Sequence, residues 1–266
     1  MQILLAPLNG LLGLLEFLGG VALLMRDTAV ALPAAVMSRR GRRLGWENLW
    51  AQMNRVGVQS IPIVFLVMFC IGSILALQMY PTLHSFGQAT AIPNIIAVAV
   101  FRELGPLVSA VVLTGFAGAS IAAEIGTMTV SEEIEALEAQ AIAPVRFLVV
   151  PRVLATTVMM VCLALVGDVA GTVGGLVISS GPLDMGQRMF LHRVFSQLMV
   201  QDFVTGLFKA GVFGVLISSL ACYLGLNVTN GAQGVGQATT RTVVYTIVAL
   251  IIVDLMFTAV FFALNL

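Results

Sequence analysis

Two adjacent charges of opposite sign, Arg102 and Glu103, interrupt a long apolar run over residues 92–123. Charged side chains are costly inside a membrane-spanning helix, so they commonly line a transport pathway or bind a ligand. Because neighbouring helical residues point about 100° apart, the two side chains cannot simply neutralise each other. We predict that they face a polar cavity; the alternative is a structural ion pair between each charge and a neighbouring helix.

The same helix should be least regular at these charges. Pro106 has no N–H to bond the carbonyl of Arg102, one turn earlier, and Gly105 lies in the same turn. At about 1.5 Å per residue the run is also longer than the ~30 Å hydrocarbon core. The sequence therefore predicts a kinked or tilted span with the charges at its weakest point.

The composition of the chain excludes an ordinary soluble domain. Of its 266 residues, 59% are hydrophobic and 10% are charged, and the mean hydropathy is +1.03. These values predict an all-α polytopic membrane protein. The formal net charge of zero argues against a nucleic-acid partner. The sequence has no P-loop motif and no evident nucleophile–base or metal-ligand spacing, so we predict that it is not an enzyme and that any ATP hydrolysis occurs on a separate chain.

Five apolar stretches divide the chain into an N-terminal part, residues 1–55, and a five-span domain, residues 56–266. The predicted spans are residues 56–83, 92–123, 153–178, 203–225 and 242–262. An arginine cluster before the first span places that side in the cytoplasm by the positive-inside rule. It comprises Arg26, Arg39, Arg40, Arg42, Arg43 and Arg55. Trp46 and Trp50 suit the headgroup level, and for residues 3–25 we favour an interfacial helix over a further span.

Small residues recur at four-residue spacing on two of the predicted spans, which allows close helix packing. They are Gly167, Gly171 and Gly175 in the third span and Gly206, Ala210, Gly214 and Ser218 in the fourth. Between these spans, residues 179–202 are predicted to hold a short helix with Phe190 and Phe195 on it. The Gly-rich segment 226–241 is predicted to be a cytoplasmic loop.

An acidic amphipathic segment follows the second span. Thr129 and Glu132 fit a T-x-x-E capping box, which predicts that a helix begins there, and Pro144 ends it. Ile134 and Leu137 form an apolar strip along this helix. The pattern fits either a solvated helix or one that docks on a soluble partner, and the charges alone do not decide between them.

Several separated motifs resemble the MlaE family of ABC permeases, which move phospholipid between the two membranes of a diderm envelope. In chain order they are FRELGP, GFAGASIAAEIGTM, the EE-rich segment, the AP…PR pair and GVGQATTRTVV, within residues 45–262. The resemblance implies N-terminal elbow helices, a bacterial inner-membrane location, a homodimer and a separate ATPase subunit. It also implies an MCE-domain lipid-binding protein on the outer face and no cofactor in this chain, since ATP would bind the partner subunit.

The resemblance also implies roles for particular residues. Those implied to handle lipid are Leu75, Leu77, Gln78 and Tyr80, together with the charged residues Arg102, Glu103 and Lys209. Lys209 has a lower priority than Arg102, because a long side chain can extend outward to the membrane surface. Residues 129–143 are implied to be the coupling helix that seats in a groove of the ATPase. The candidate coupling residues are Glu124, Glu132, Glu133, Ile134, Glu135, Leu137 and Glu138.

An ion-coupled secondary carrier is the alternative function. It would use the intramembrane charges as a relay, and these are Arg102, Glu103, Asp168, Lys209 and Asp254. Five spans without an evident internal repeat argue against it, since many carriers are built from inverted repeats. The individual roles of Asp168 and Asp254 stay open: Asp168 is either a pathway residue or the partner of a basic group. A purely structural scaffold is a weaker third interpretation.

The predicted topology places Ser131 in the cytoplasm and Gln187 on the outer side. We expect single cysteines at these positions, in a background without the 3 native cysteines, to react with an impermeant thiol reagent from opposite sides of the membrane. Reaction of both from the same side would contradict the five-span arrangement.

Overall fold

The computed structural model describes residues 2–37 and 41–264, and within them every regular element is a helix. The helices are α1 Gln2–Met37, α2 Gly41–Val56, α3 Ile61–Ser85, α4 Ile92–Ala99, α5 Gly105–Leu113, α6 Ala119–Val130, α7 Glu133–Ala139, α8 Val150–Ser180, α9 Gln187–Gln197, α10 Val200–Leu226 and α11 Gly231–Ala263. Arg39 and Arg40 of the predicted basic cluster lie outside the described residues.

Five helical segments within the described residues are long and apolar enough to cross a membrane, as predicted. They are Glu47–Ser85, Ala89–Val130, Val145–Ser180, Val200–Leu226 and Gly231–Ala263. The chain is therefore an all-α, multi-pass membrane protein. Following the predicted topology, we call the end of the bundle near Ser85, Ser180 and Val200 the outer end, and the end that carries α7 the cytoplasmic end.

The second span is a continuous helix in which two π-helical turns join α4, α5 and α6. The first, Val100–Leu104, contains both Arg102 and Glu103, and the N–H of Gly105 bonds the carbonyl of Val100. This wider turn immediately precedes Pro106, which has no N–H to donate. The helix is thus irregular at its charges, as predicted. The second π turn, Thr114–Gly118, lies nearer the cytoplasmic end.

Glycines bring α8 into close contact with α3 on one side and α10 on the other. A Cβ atom at Gly72 of α3 would collide with the carbonyl oxygen of Gly171, and one at Gly174 would collide with the carbonyl oxygen of Phe69. Towards α10, a Cβ at Gly214 would lie 2.6 Å from the Cα of Thr157. The small-residue faces predicted from sequence are therefore helix contacts.

The short outer helix is confirmed as α9, which buries Phe190 and Val194 and exposes Phe195.

The predicted loop at residues 226–241 is wrong over most of its length, because α11 begins at Gly231. Glycine weakens an isolated helix by up to ~1 kcal/mol, but packing can outweigh that preference. Here a Cβ at Gly126 of α6 would lie only 2.9 Å from Val228, so the two segments meet closely.

The predicted capping box at Thr129 is also wrong. The second span continues to Val130, and the Thr129 hydroxyl donates to the carbonyls of Ile125 at 2.9 Å and Gly225 at 3.1 Å. Within a helix, a threonine hydroxyl can bond the carbonyl one turn earlier, which removes its capping role. The chain instead turns at Glu132, whose φ is +60°, and the coupling-helix candidate is reduced to Glu133–Ala139.

Replacing Gly72 by alanine should separate α3 from α8, because its Cβ would meet backbone and not a flexible side chain. We expect Gly72→Ala to lower the free energy of unfolding by about 1–3 kcal/mol. Heat-induced labelling of the buried Cys222, with Cys70 and Cys162 replaced by serine, would report it. Gly115→Ala is the matched control, since no atom lies within 4 Å of its Cβ position. Equal melting curves for the two variants would contradict the close packing.

Candidate functional site: a buried charge cluster

Lys209 of α10 lies at the centre of a cluster formed by three spans. Its Nζ donates to Oε2 of Glu103 at 2.7 Å, to Oδ1 of Asp254 at 2.9 Å and to Oγ1 of Thr258 at 2.9 Å. The Thr258 hydroxyl donates in turn to Oε1 of Glu103 at 3.0 Å. All the N–H donors of the ammonium group are therefore satisfied by protein atoms.

The three charged residues meet because they lie at one depth. Lys209 is about two and a half turns from the outer end of α10, and Asp254 is equally far from the outer end of α11, which corresponds to roughly 13 Å. Glu103 lies in the π turn at a similar depth. The site is thus well inside the outer half of the bundle.

Lys209 does not extend outward, as the sequence analysis had allowed; its rank below Arg102 as a lipid contact stays a prediction. Its side chain is 1% exposed and does not extend to the membrane surface. Two carboxylates bind the ammonium group from different helices, and that attraction outweighs extension toward water. Asp254, whose role the sequence left open, is one of these two partners.

Arg102 points to a different partner from Glu103, as their helical spacing predicted, and each charge forms an ion pair with a neighbouring helix, which the sequence analysis gave as the alternative to a polar cavity. Its Nη1 lies 3.4 Å from Oδ1 of Asp202 near the start of α10, and its side chain is 29% exposed. Asp202 also accepts a hydrogen bond from the N–H of Met199 at 3.3 Å, so it holds the first turn of the helix. Arg102 therefore lies between the buried cluster and the surface of the bundle.

The four lipid-cavity candidates on α3 lie near its outer end. Leu77 and Gln78 are exposed, whereas Leu75 and Tyr80 are partly buried against the core. The ring of Tyr80 lies 5.3 Å from that of His84. Their proposed contact with lipid stays a prediction.

Asp168 of α8 is buried beside the π turn. Its Oδ1 has no hydrogen-bond partner among the described residues, and a Cβ at Gly105 would collide with this atom. Ser109 lies one turn further along α5, and its buried hydroxyl is likewise unsatisfied. Gly105 therefore leaves the space that this carboxyl group occupies.

The candidate coupling residues fall into two groups. On and beside α7, the exposed ones are Glu132, Glu133, Glu135 and Glu138, and the partly buried ones are Ile134 and Leu137. Glu124 lies instead inside α6, where it forms ion pairs with Arg55 and Arg152. The coupling role of both groups stays a prediction.

Sequence reasoning missed two partners of the site, Asp202 and Thr258. Both carried a helical-spacing signal: Asp202 lies two turns before Lys209 on α10, and Thr258 one turn after Asp254 on α11. Residues so spaced share one helix face, so each could have been assigned to the charged face of its span.

A bundle of five apolar spans with charged residues held between them defines a polytopic helical membrane protein. The model of the MlaE permease family matches residues 49–260. The chain belongs to this family.

Individual relatives agree with that membership. A probable ABC transporter permease protein of Rickettsia felis is 39% identical over 211 residues, which cover 79% of this chain and 82% of that protein. The intermembrane phospholipid transport system permease protein MlaE of Haemophilus influenzae is 32% identical over 212 residues, 79% of this chain and 81% of that protein. The chloroplastic protein TRIGALACTOSYLDIACYLGLYCEROL 1 of Arabidopsis thaliana is 30% identical over 83% of this chain and 63% of its own.

The charge cluster predicts unequal effects of removing its members. Lys209→Met leaves two facing carboxylates without their cation, and breaking such a pair is expected to lower stability by about 3–5 kcal/mol. Asp254→Asn keeps the Lys209–Glu103 pair and an amide oxygen for Nζ, so about 1–2 kcal/mol should be lost. Thermal unfolding of the detergent-purified proteins measures both, and equal losses would contradict the arrangement.

Proposed function

We propose that this chain is the permease subunit of an ABC-type transporter that moves phospholipid between the inner and outer membranes of a bacterium. A separate ATPase subunit would drive it from the cytoplasm. Family membership supports the permease role, and the name of the Haemophilus relative supports phospholipid as the substrate. The observation that carries the proposal is the buried cluster around Lys209, with Arg102 beside it in the outer half of the bundle.

Arg102 is the proposed phosphate contact. A guanidinium group can give two parallel hydrogen bonds to a phosphate, and its partial exposure makes it reachable. Leu75 and Leu77 would contact the acyl chains, with Gln78 and Tyr80 near the mouth of the cavity. Glu103 and Lys209 would hold the second span, α10 and α11 together around the lipid.

The short helix α7 is the proposed contact with the ATPase. It presents Glu133, Glu135 and Glu138 to solvent at the cytoplasmic end, while Ile134 packs against the core. An exposed acidic helix held by an apolar strip is suited to a groove on a soluble protein. Leu137 on α7 itself, Glu132 at the turn before it and Glu124 in α6 would support this contact.

Further partners follow from the proposed function. We infer a homodimer of this chain, because the lipid cavity would be completed by a second copy. An MCE-domain lipid-binding protein would receive or deliver lipid on the outer face. The chain itself needs no cofactor in this scheme, since ATP binds the partner subunit.

Charge reversal on α7 tests the proposed function. Vesicles containing the chain and its ATPase subunit should transfer fluorescent phospholipid when ATP is supplied, and Glu133→Lys combined with Glu135→Lys should reduce both ATPase copurification and transfer by about tenfold. These side chains are exposed, so the fold should change by no more than about 0.5 kcal/mol. Glu47→Lys, on the exposed face of α2, is the control.

Two outcomes would contradict the proposal. Full copurification and full transfer in the double variant would leave α7 as a solvated helix without a partner. Transfer driven by an ion gradient in vesicles that lack the ATPase would favour the carrier instead.

A further inference from the structure

A second charge cluster lies near the cytoplasmic end of the bundle. Glu124 of α6 accepts a hydrogen bond from Nη1 of Arg55 at 2.9 Å, and its other oxygen lies 3.2 Å from Nη2 of Arg152. Two guanidinium groups thus share one carboxylate. The three residues together carry one positive charge in excess, which favours an anion nearby.

A cavity of about 140 Å³ opens beside Arg55 and Glu124, between α2 and the second span. Its walls are both polar and apolar. The other lining residues are Gln52, Val56, Gln59, Phe116, Ala117, Ser120 and Ile121. Since a water occupies roughly 30 Å³, the cavity has room for a few waters or for one phosphate group and part of its substituent.

Arg55 has N–H donors beyond those that its hydrogen bonds to Glu124 and Ser120 use. It uses one N–H on Glu124 and one on the hydroxyl of Ser120, at 3.1 Å. A guanidinium group has five N–H donors, so most of them remain for a further acceptor. Its side chain is 48% exposed, so an anion at the membrane surface can reach it. A phosphate is the acceptor that this geometry suits.

Gln52 presents a buried hydrogen-bond acceptor to the cavity. Its Oε1 is buried and has no partner among the described residues, although it lines the same cavity. A buried acceptor left without a donor is destabilising. An ethanolamine or glycerol headgroup carries N–H or O–H donors next to its phosphate, whereas a choline headgroup carries none.

The polar and apolar ends of the cavity face the same way as the headgroup and the chains of a phospholipid in the cytoplasmic leaflet. Phe116, Ser120 and Glu124 follow one another at one-turn spacing along the second span. The polar members lie toward the cytoplasmic end, and the partly exposed Phe116 lies about 12 Å further into the membrane than Glu124. A phospholipid in that leaflet likewise has its headgroup at the surface and its chains inward.

We propose that this cavity binds the headgroup of a cytoplasmic-leaflet phospholipid. Arg55 contacts the phosphate, and Gln52 accepts a hydrogen bond from an ethanolamine or glycerol group. The bound lipid fills the space between α2 and the second span and balances the excess positive charge. The site is separate from the outer charge cluster, and it does not depend on what that cluster transports.

Photo-crosslinking from position 59 in lipid nanodiscs tests the site. We expect adducts with phosphatidylethanolamine and phosphatidylglycerol to exceed those with phosphatidylcholine severalfold. Arg55→Gln should reduce the adducts about tenfold, as expected when a charge-assisted hydrogen bond is lost. Arg26→Gln is the matched control and should change nothing, because Arg26 is exposed and pairs with Asp27 on its own helix.

Three results would overturn the proposal. Equal adducts with phosphatidylcholine would remove the role of Gln52, and undiminished adducts in Arg55→Gln would remove that of Arg55. Competition by millimolar inorganic phosphate would show a site for a free anion and not for lipid. If Arg55→Gln does not fold, Ser120→Ala keeps the Arg55–Glu124 pair and should still lower the adducts severalfold. ATP-driven lipid transfer, measured separately, tests the proposed transport function, so a failure of that function and a failure of this site are distinguishable.

Discussion

The ammonium group of Lys209, whose side chain is 1% exposed, holds two carboxylates from different helices inside the outer half of the bundle, and the arrangement of that half depends on it. The second span, α10 and α11 each contribute one charge, and none of these charges is stable alone in that environment. Thr258 completes the cluster by bonding both Lys209 and Glu103. Three helices are therefore fixed at one depth by a single set of hydrogen bonds.

The π turn allows Arg102, the residue next to Glu103, to carry the opposite charge without joining the Lys209 cluster. Arg102 and Glu103 are adjacent, yet one reaches Asp202 and the other reaches Lys209. Pro106 prevents a regular hydrogen bond to the carbonyl of Arg102, and the wider turn accommodates that loss. The partly exposed guanidinium group is thereby kept apart from the Lys209 cluster, as the proposed phosphate contact requires.

Much of the fold follows from composition and spacing, but the pairing of charges does not. The five spans, the glycine faces and the irregular turn at Pro106 each leave a local signal in the sequence. The Lys209–Glu103 bond joins residues 106 positions apart, and no local pattern records it. Local signals also failed where packing opposed them: Thr129 looks like a cap but continues a helix, and the glycines after Gly231 lie within α11.

One helix connects the two ends of the molecule on which the proposed function depends. Moving outward from α7, the second span carries Glu124, then Phe116 in its second π turn, and then Arg102 and Glu103 in its first. A displacement of α7 would therefore reach the outer charges through a continuous backbone, without crossing a loop longer than the turn at Glu132. The two π turns are where that helix departs from regular geometry, so they are the places where it would bend. The ion pairs of Glu124 with Arg55 and Arg152 tie its cytoplasmic third to α2 and α8, and the bonds of Lys209 tie Glu103 to α10 and α11, so the second π turn, Thr114–Gly118, lies between two tied regions.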